Sequence, residues 1–417
     1  MNRKRPSRRV RGLSRTAALA AFALLGSVGL AAVAAAPSGA SAKGHAVGKA
    51  DTSQKSKPTT TASLASLEKT LQGYVSGAPS GQTLSESGST LMYPLWEEWQ
   101  APSKVASGLP TPPVAISPAA TGSGTGISEA VSGAVNIGAS DAFLSGTELT
   151  GPPAMLNIPE VISAQVLIYN LPSLANKHLK LTPTIVNDLY NGAITNWDNK
   201  LIAKANPGVT LPNQKVIPVR RSDGSGDTFL ITSYVWYGDK TSWNHAAPYY
   251  GPQTAYAEWP TVAGELAEKG TTGIISGVNS NVGAIGYVGV SYLAETNADH
   301  LGYAALENGT GHFEIPDAAT VAAEVSSFTH FPTSGAINLI YSKVASAKFG
   351  YPDVNFEYAI VQKNQPNSTD LAAVKALLAW GMDPKDGASS GFLGPIDFKP
   401  MPASAIAGAI GLLKELT

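Results

Sequence analysis

Hydrophobic and polar positions along this chain switch repeatedly between a period of two and a period near 3.6. Tyr93 to Gln100 puts Leu95, Trp96 and Trp99 on one side and predicts a helix, and Pro113 to Ser117 predicts a strand. Gly126 to Ala134 reads as a helix, followed by a strand from Val135 to Ser140 that delivers Asp141. The apolar run from Glu160 to Tyr169 predicts a buried strand. Thr184 to Tyr190 is a helix stopped by Asn191-Gly192, and Val216 to Val219 is again a strand. Asn355 to Val361 is strand-like, and Leu371 to Gly381 and Ala403 to Leu416 read as amphipathic helices. This strand–turn–helix succession predicts layered α/β architecture, without an internal repeat at solenoid spacing.

The first residues depart from that pattern. Arg3, Lys4, Arg5, Arg8, Arg9, Arg11 and Arg15 precede an apolar stretch from Ala17 to Ala35 and the small-residue site Ala40-Ser41-Ala42. Residues 1–42 therefore read as a secretory signal peptide, with a retained signal anchor as the alternative. From Lys43 the chain is Lys/Ser/Thr/Gly-rich, and a flexible tether is drawn over 43–75. Within it, Leu64, Leu67 and Leu71 space a short helix from Ala62 to Tyr74, and the folded body is expected from near Leu84. About 375 residues remain after the signal, enough for two domains.

Removing the signal changes the charge. The whole chain has 29 basic and 30 acidic residues, and without the seven basic ones of the leader 22 face 30, a net of −8. That balance argues against general binding to nucleic acid or to a membrane surface. There are no cysteines, so disulfides, thiol chemistry and lipid attachment through cysteine are excluded for this sequence. No later segment is apolar and long enough to span a bilayer.

Three turns of small residues stand out. They are Ser87-Gly88-Ser89-Thr90-Leu91, Thr121-Gly122-Ser123-Gly124-Thr125-Gly126, and Arg220 to Phe229, in which Ser222-Asp223-Gly224-Ser225-Gly226-Asp227 follows the arginine pair. Each opens a helix-like stretch, where orphan N–H groups and the helix dipole attract an oxyanion. Thr90, Ser123 and Ser225 each offer a hydroxyl, or serve as ordinary N-caps. Arg221 is the expected cationic donor, its planar fork suited to a phosphate edge. Arg220, pointing to the opposite side of a strand, is expected in a surface salt bridge, and Asp223 is expected to fix the Arg221 guanidinium.

Asp141 and Asp227 sharpen the inference. A carboxylate in an anion pocket repels its ligand unless the ligand donates a proton, which hydrogen phosphate has and fully ionised sulfate lacks. One aspartate suffices for that discrimination. A second would favour dihydrogen phosphate and tighten binding at mildly acid pH; the alternative for Asp227 is a first-turn role facing the helix dipole. Catalysis has less support. Asp223-Gly224-Ser225-Gly226-Asp227 is not a nucleophile elbow, the six histidines are scattered, and no Walker phosphate loop occurs. No metal and no cofactor are expected. Trp96, Trp99, Trp236, Trp243 and Trp259 are expected in cores or at a cleft rim.

Taken in order, G-S-T-L-M-Y-P-L-W-E-E-W (88–99), T-G-S-G-T-G-I (121–127), G-A-S-D (138–141), N-G-A-I-T-N-W-D (191–198), R-R-S-D-G-S-G-D-T-F (220–229) and G-A-I-G-Y-V (283–288) resemble the phosphate-binding receptors of high-affinity phosphate ABC transporters. The resemblance runs from about Leu84 to the end and implies a type II periplasmic-binding fold, two α/β domains joined by hinge strands around an interdomain cleft. It implies phosphate donors from Thr90 and Leu91 through their backbone, and from Ser123, Arg221, Ser225 and Gly226, with Asp141 as acceptor. Ser89, Gly122 and Asp223 support them. Asp227 stands where many relatives have threonine and looks like the actinobacterial branch; Leu91 replaces a frequent phenylalanine. The implied first domain takes 76–162 plus 354–417 and the second 163–353, with hinge strands near Ile162 to Leu167 and Asn355 to Ile360. The implied partners are inorganic phosphate and the permease subunits of an ABC importer, with no nucleic acid and the receptor a monomer. It is expected to be exported, in the periplasm, the cell envelope or the medium. The rival readings are a receptor for another oxyanion, a secreted scavenger without a permease and, from another class, a phosphatase.

Overall fold

The computed structural model describes residues 63–144, 147–241, 257–342 and 347–417. The expected signal peptide, the tether up to residue 62, His45, Trp243 and His245 lie outside the described residues.

The described residues form twelve strands: β1 (Thr83–Gly88), β2 (Ala115–Ser117), β3 (Ile137–Ser140), β4 (Met155–Tyr169), β5 (Lys180–Leu181), β6 (Ile217–Arg221), β7 (Leu266–Glu268), β8 (Ala284–Gly289), β9 (Gly302–Tyr303), β10 (Ala305–Glu307), β11 (Phe313–Glu314) and β12 (Val354–Gln362). The main sheet runs β2-β1-β3-β12-β4-β8-β6-β7, with β9 also on β4, and β11-β10-β5 make a small second sheet. The outer strands pair in parallel on each side, β1 with β2 and β3, and β6 with β7 and β8. Within the main sheet antiparallel pairing is confined to the middle, where β12 joins β3 to β4 and β4 joins β8 and β9.

The fifteen residues of β4 are all buried, which accounts for its almost unbroken apolar sequence. This strand changes partner within its own length. Ala164 still faces Val354 of β12, whereas Gln165 faces Gly289 of β8. A single strand thus belongs to both halves of the sheet.

Helices fall where the 3.6 period indicated, at Tyr93–Gln100, Ser123–Ser132, Pro183–Tyr190, Gly226–Gly238, Ser368–Gly381 and Ala403–Glu415. Trp96 and Trp99 meet edge to face at 4.9 Å, and Trp99 meets Trp380 at 5.3 Å. Each buried indole removes roughly 150–250 Å² from water, which clamps the helix that follows the first small-residue turn. Trp259 stacks on Tyr190 with ring centroids 4.6 Å apart, and Trp236 is partly buried against the core, so Trp96, Trp99, Trp236 and Trp259 are packing residues.

One boundary needs correction. The helix is Leu64–Val75, capped by Ser63, with Leu67 and Leu71 buried against Ser368–Gly381. The tether drawn to residue 75, and the body drawn from Leu84, gave too little weight to two leucines one turn apart, which find their partners about three hundred positions away.

Candidate oxyanion site

The three small-residue turns lie at the carboxyl ends of parallel strands. β1 ends at Gly88 and runs into Ser89-Thr90-Leu91, β2 leads to the helix Ser123–Ser132, and β6 ends at Arg221 before the helix Gly226–Gly238. β3 ends at Ser140 and releases Asp141 beside them. Ligands of open α/β sheets bind at this edge. A fourth turn, after β7, brings the helix Gly270–Asn279 to the same place.

The turns interlock. Gly124 N–H donates to the Gly224 carbonyl at 3.0 Å, joining the second turn to the third. Gly122 has φ +94°, and a Cβ there would stand 2.9 Å from the Gly224 carbonyl oxygen and 3.3 Å from Arg221 Nη2, so only glycine fits. A Cβ on Gly226 would come within 2.6 Å of Ser123 Oγ and meet the Asp141 carboxylate. Tyr292 Oη donates to the Thr90 carbonyl at 2.8 Å, and Thr90 Oγ1 shares a hydrogen bond of 2.7 Å with Thr271 Oγ1.

Arg221 sits at the centre with 5% of its surface exposed. Its Nε and Nη2 donate to the two oxygens of Asp223 at 2.7 and 2.5 Å, the parallel fork that fixes a guanidinium plane. Asp223 Oδ1 is itself held by Gly270 N–H at 3.1 Å. Nη1 donates to Thr90 Oγ1 at 3.1 Å and to Asp227 Oδ2 at 2.5 Å. Burial opposes the Arg221 charge, but Asp223 and Asp227 outweigh it and hold the guanidinium above its usual value. Burial likewise opposes ionisation of Asp223, and the Arg221 contact reverses this and lowers it. Arg220 faces away and pairs with Glu265 at 2.7 Å, as its position on the strand indicated.

Asp141 is buried. Ser89 Oγ donates to Oδ1, and Ser123 Oγ to Oδ2 at 3.3 Å. Burial raises the Asp141 carboxyl, against hydrogen bonds from Glu357, Ser89 and Ser123 and the field of Arg221. Asp227 is buried too, and both its oxygens also accept, Oδ1 from Gln165 Nε2 at 2.8 Å and Oδ2 from the charged Arg221 guanidinium. Burial, then the Asp141 charge, push Asp227 up to about 7 against the pull of Arg221.

The structure brings together Ser89, Thr90, Leu91, Gly122, Ser123, Asp141, Arg221, Asp223, Ser225, Gly226 and Asp227. Ser225 Oγ caps its helix by accepting from Thr228 N–H at 3.2 Å. Leu91 packs against Gly289, and its carbonyl takes Ser291 Oγ at 2.9 Å. Among the described residues, the N–H groups of Thr90, Leu91, Ser123 and Gly226 meet no protein acceptor, the orphan donors expected where helices begin. A cavity of about 540 Å³ adjoins the site between Tyr93, Thr121, Asp223, Thr271 and Tyr292. Sequence reasoning missed Gln165, Thr271, Tyr287, Asn355 and Glu357. Tyr287 Oη accepts from Arg221 N–H at 3.0 Å and shares a 2.8 Å hydrogen bond with Thr228. No group of three or more metal-ligating side chains occurs among the described residues.

A family model described as a PBP superfamily domain matches residues 74–385. The phosphate-binding protein PstS of Xylella fastidiosa is 29% identical over 302 residues, spanning 72% of this chain and 77% of that protein. Phosphate-binding protein PstS3 of Mycobacterium bovis is 30% identical over 294 residues, spanning 68% of this chain and 74% of that protein. A crystal structure titled as the phosphate-binding protein from Stenotrophomonas maltophilia shares the fold, with a TM-score of 0.60 at 20% identity over 79% of this chain and 94% of its own. With its buried arginine, its helix starts and these relatives, the chain belongs to the PBP superfamily and, within it, to the PstS family of phosphate-binding proteins.

Proposed function

We propose that this chain binds inorganic phosphate at the Arg221 site and delivers it to the membrane permease of an ABC importer. The observation that carries the reading is a buried guanidinium, clamped by Asp223, among helix starts whose N–H groups lack acceptors and beside a buried carboxylate. The backbone of Thr90 and Leu91, with Ser123, Arg221, Ser225 and Gly226, supplies the donors. Asp141 accepts a hydrogen bond from the ligand's protonated oxygen. A sulfate dianion has no proton to give, and the cost of leaving that acceptor against a bare anion oxygen rejects it.

The partner change of β4 between Ala164 and Gln165 supports a hinge there, with domains of 76–162 plus 354–417 and of 163–353, the helix Leu64–Val75 joining the first. Closure of the two domains expels water and completes the donor shell. The reading is of a receptor and not an enzyme, exported and monomeric, with retention at the cell independent of cysteine lipidation. Among the described residues no helix is long and apolar enough to cross a membrane. Calorimetric titration of ligand-stripped protein with phosphate, in the presence and absence of excess sulfate, tests it. Tight binding that sulfate does not displace is expected; no phosphate binding, or displacement by sulfate, overturns it.

A further inference from the structure

Asn355 and Glu357 stand two residues apart on β12 and present their side chains to one face of the sheet. Both meet Asp141. The β3–β12 ladder pairs Ala139 with Ala359 and Ser140 with Tyr358, and one further step in that register sets Asp141 opposite Glu357. Asn355 Nδ2 donates to the Asp141 carbonyl at 2.6 Å, while the Glu357 carboxyl is in hydrogen-bond contact with the Asp141 carboxylate.

The pairing of β12 with β4 slips at the same point. Glu357 faces Val161 and Tyr358 faces Pro159, so Glu160 is the extra residue of a bulge. Pro159 has no N–H for the ladder, which gives the slip its cause, and bulges turn nearby side chains out of the regular pleat.

Two buried carboxyl groups in contact share a proton, because like charges at that range in a dry site are not tolerated together. The neighbours place it. Asp141 has hydroxyl donors on both oxygens and Arg221 nearby. Glu357 receives one donor among the described residues, Ser163 Oγ on Oε1, and Oε2 receives none. The charged groups facing Glu357 are Asp141, from the end of β3, and Asp227, from the helix Gly226–Gly238; β4 contributes the neutral Ser163. Burial and both aspartates push Glu357 well above the carboxylate range, so Glu357 is the acid of the pair and Asp141 the ion.

We infer that Glu357 is a positioning residue for Asp141, donating a hydrogen bond to its carboxylate from behind and fixing it as an acceptor that only a proton-bearing oxyanion satisfies. The inference rests on phosphate binding at this site. It makes β12, which supplies no ligand donor of its own, the element that sets the preference for phosphate over sulfate. Without the Glu357 proton, Asp141 takes one itself, turns from acceptor to donor and tolerates a fully ionised oxyanion.

The test is calorimetric titration of the parent protein, Glu357→Gln and Glu357→Leu with phosphate and with sulfate at pH 7 and 8. The glutamine amide still donates to Asp141, so phosphate affinity is expected within about threefold of the parent, with sulfate still rejected. The leucine variant is expected to bind phosphate about tenfold more weakly and to lose part of its preference over sulfate. Unchanged phosphate affinity and an unchanged preference in Glu357→Leu overturn the inference. If that variant does not fold, infrared difference spectra of the parent and Glu357→Gln at pH 7 decide. A protonated-carboxyl C=O band that the Glu357→Gln substitution removes, seen as a difference between the two spectra, is expected; no such difference band overturns the inference. A parent that does not bind phosphate overturns the proposed function instead, and the infrared arm still reads the Glu357 proton.

Discussion

Asp227 Oδ2 lies 2.5 Å from Arg221 Nη1, so the first anion to meet the central guanidinium is one the protein carries itself. A phosphate entering the site shares Nη1 with Asp227 or displaces it, and its negative charge favours the neutral form of that carboxyl. Asp227 is held at about 7, so its charge opposes binding most at and above neutral pH. Phosphate affinity is therefore expected to rise as pH falls toward 7. Asp227→Asn should bind about tenfold more tightly than the parent at pH 8 and little differently at pH 6. Were Asp227 a second acceptor for the ligand, the same variant would lose affinity at both values. Titration of both proteins across this range separates the two roles.

Removing the donor or the acceptor is expected to act on binding rather than on the fold. Arg221→Ala should weaken phosphate binding at least about tenfold, since a charge-assisted hydrogen bond in a buried site is worth about 1.5–3 kcal/mol. Asp141→Ala should do the same and also admit sulfate. Circular dichroism alongside the titrations checks that the variants remain folded; parent-like affinity in either one refutes the site assignment.

Contact between the second and third turns leaves no room for a methyl group at Gly226, whose Cβ would stand 2.6 Å from Ser123 Oγ and against Asp141. Gly226→Ala should hold the turns apart and abolish phosphate binding while shifting Tm by only a few degrees, a change of about 1 kcal/mol. Small-angle scattering with saturating phosphate should then show the parent contracting and the variant unchanged.

Glu324 tests burial away from the site. Its Oε1 accepts from Ser342 N–H at 3.2 Å, and Oε2, lying against Gly350, has no partner among the described residues. Burial pushes it up to about 8, whereas an unfolded chain ionises glutamate near 4.3. Its folded value is raised, so its contribution is present at low pH and lost progressively as pH rises toward 8. Glu324→Gln should match the parent within about 1 kcal/mol at pH 5 and exceed it by about 1–3 kcal/mol at pH 9. Urea melts at the two values measure the difference, and equal gaps at both would refute it.

What the sequence disclosed was local. Arg221, Asp223, Ser225 and Gly226 lie within six positions, and their turn chemistry announces itself without knowledge of what packs beside it. Strand and helix order followed from periodicity for the same reason. Gln165 and Asn355 were illegible because their partners are 62 and 214 positions away, and nothing in N-F-E-Y-A-I-V marks its glutamate as facing Asp141. Glu357 reads as the polar half of an alternating strand. Asp227 was visible as a site residue, but its engagement by Arg221 and Gln165 depends on how β6 and β4 are placed on either side of β8. Thr271 was missed because its helix begins with glycine and threonines and no charged residue to draw attention.

The order in which the ribosome delivers the strands differs from the order in which they sit. Among the described strands β12 comes last in chain order, yet it fills the gap between β3 and β4. Until Val354–Gln362 has emerged, both neighbours present bare edges and the centre of the sheet has no partner to close on. Such long-range pairing is slow to find and late to form. The nascent chain consequently stays open until β12 has emerged and completes its core only then, and truncation before β12 should yield aggregation rather than a smaller folded protein.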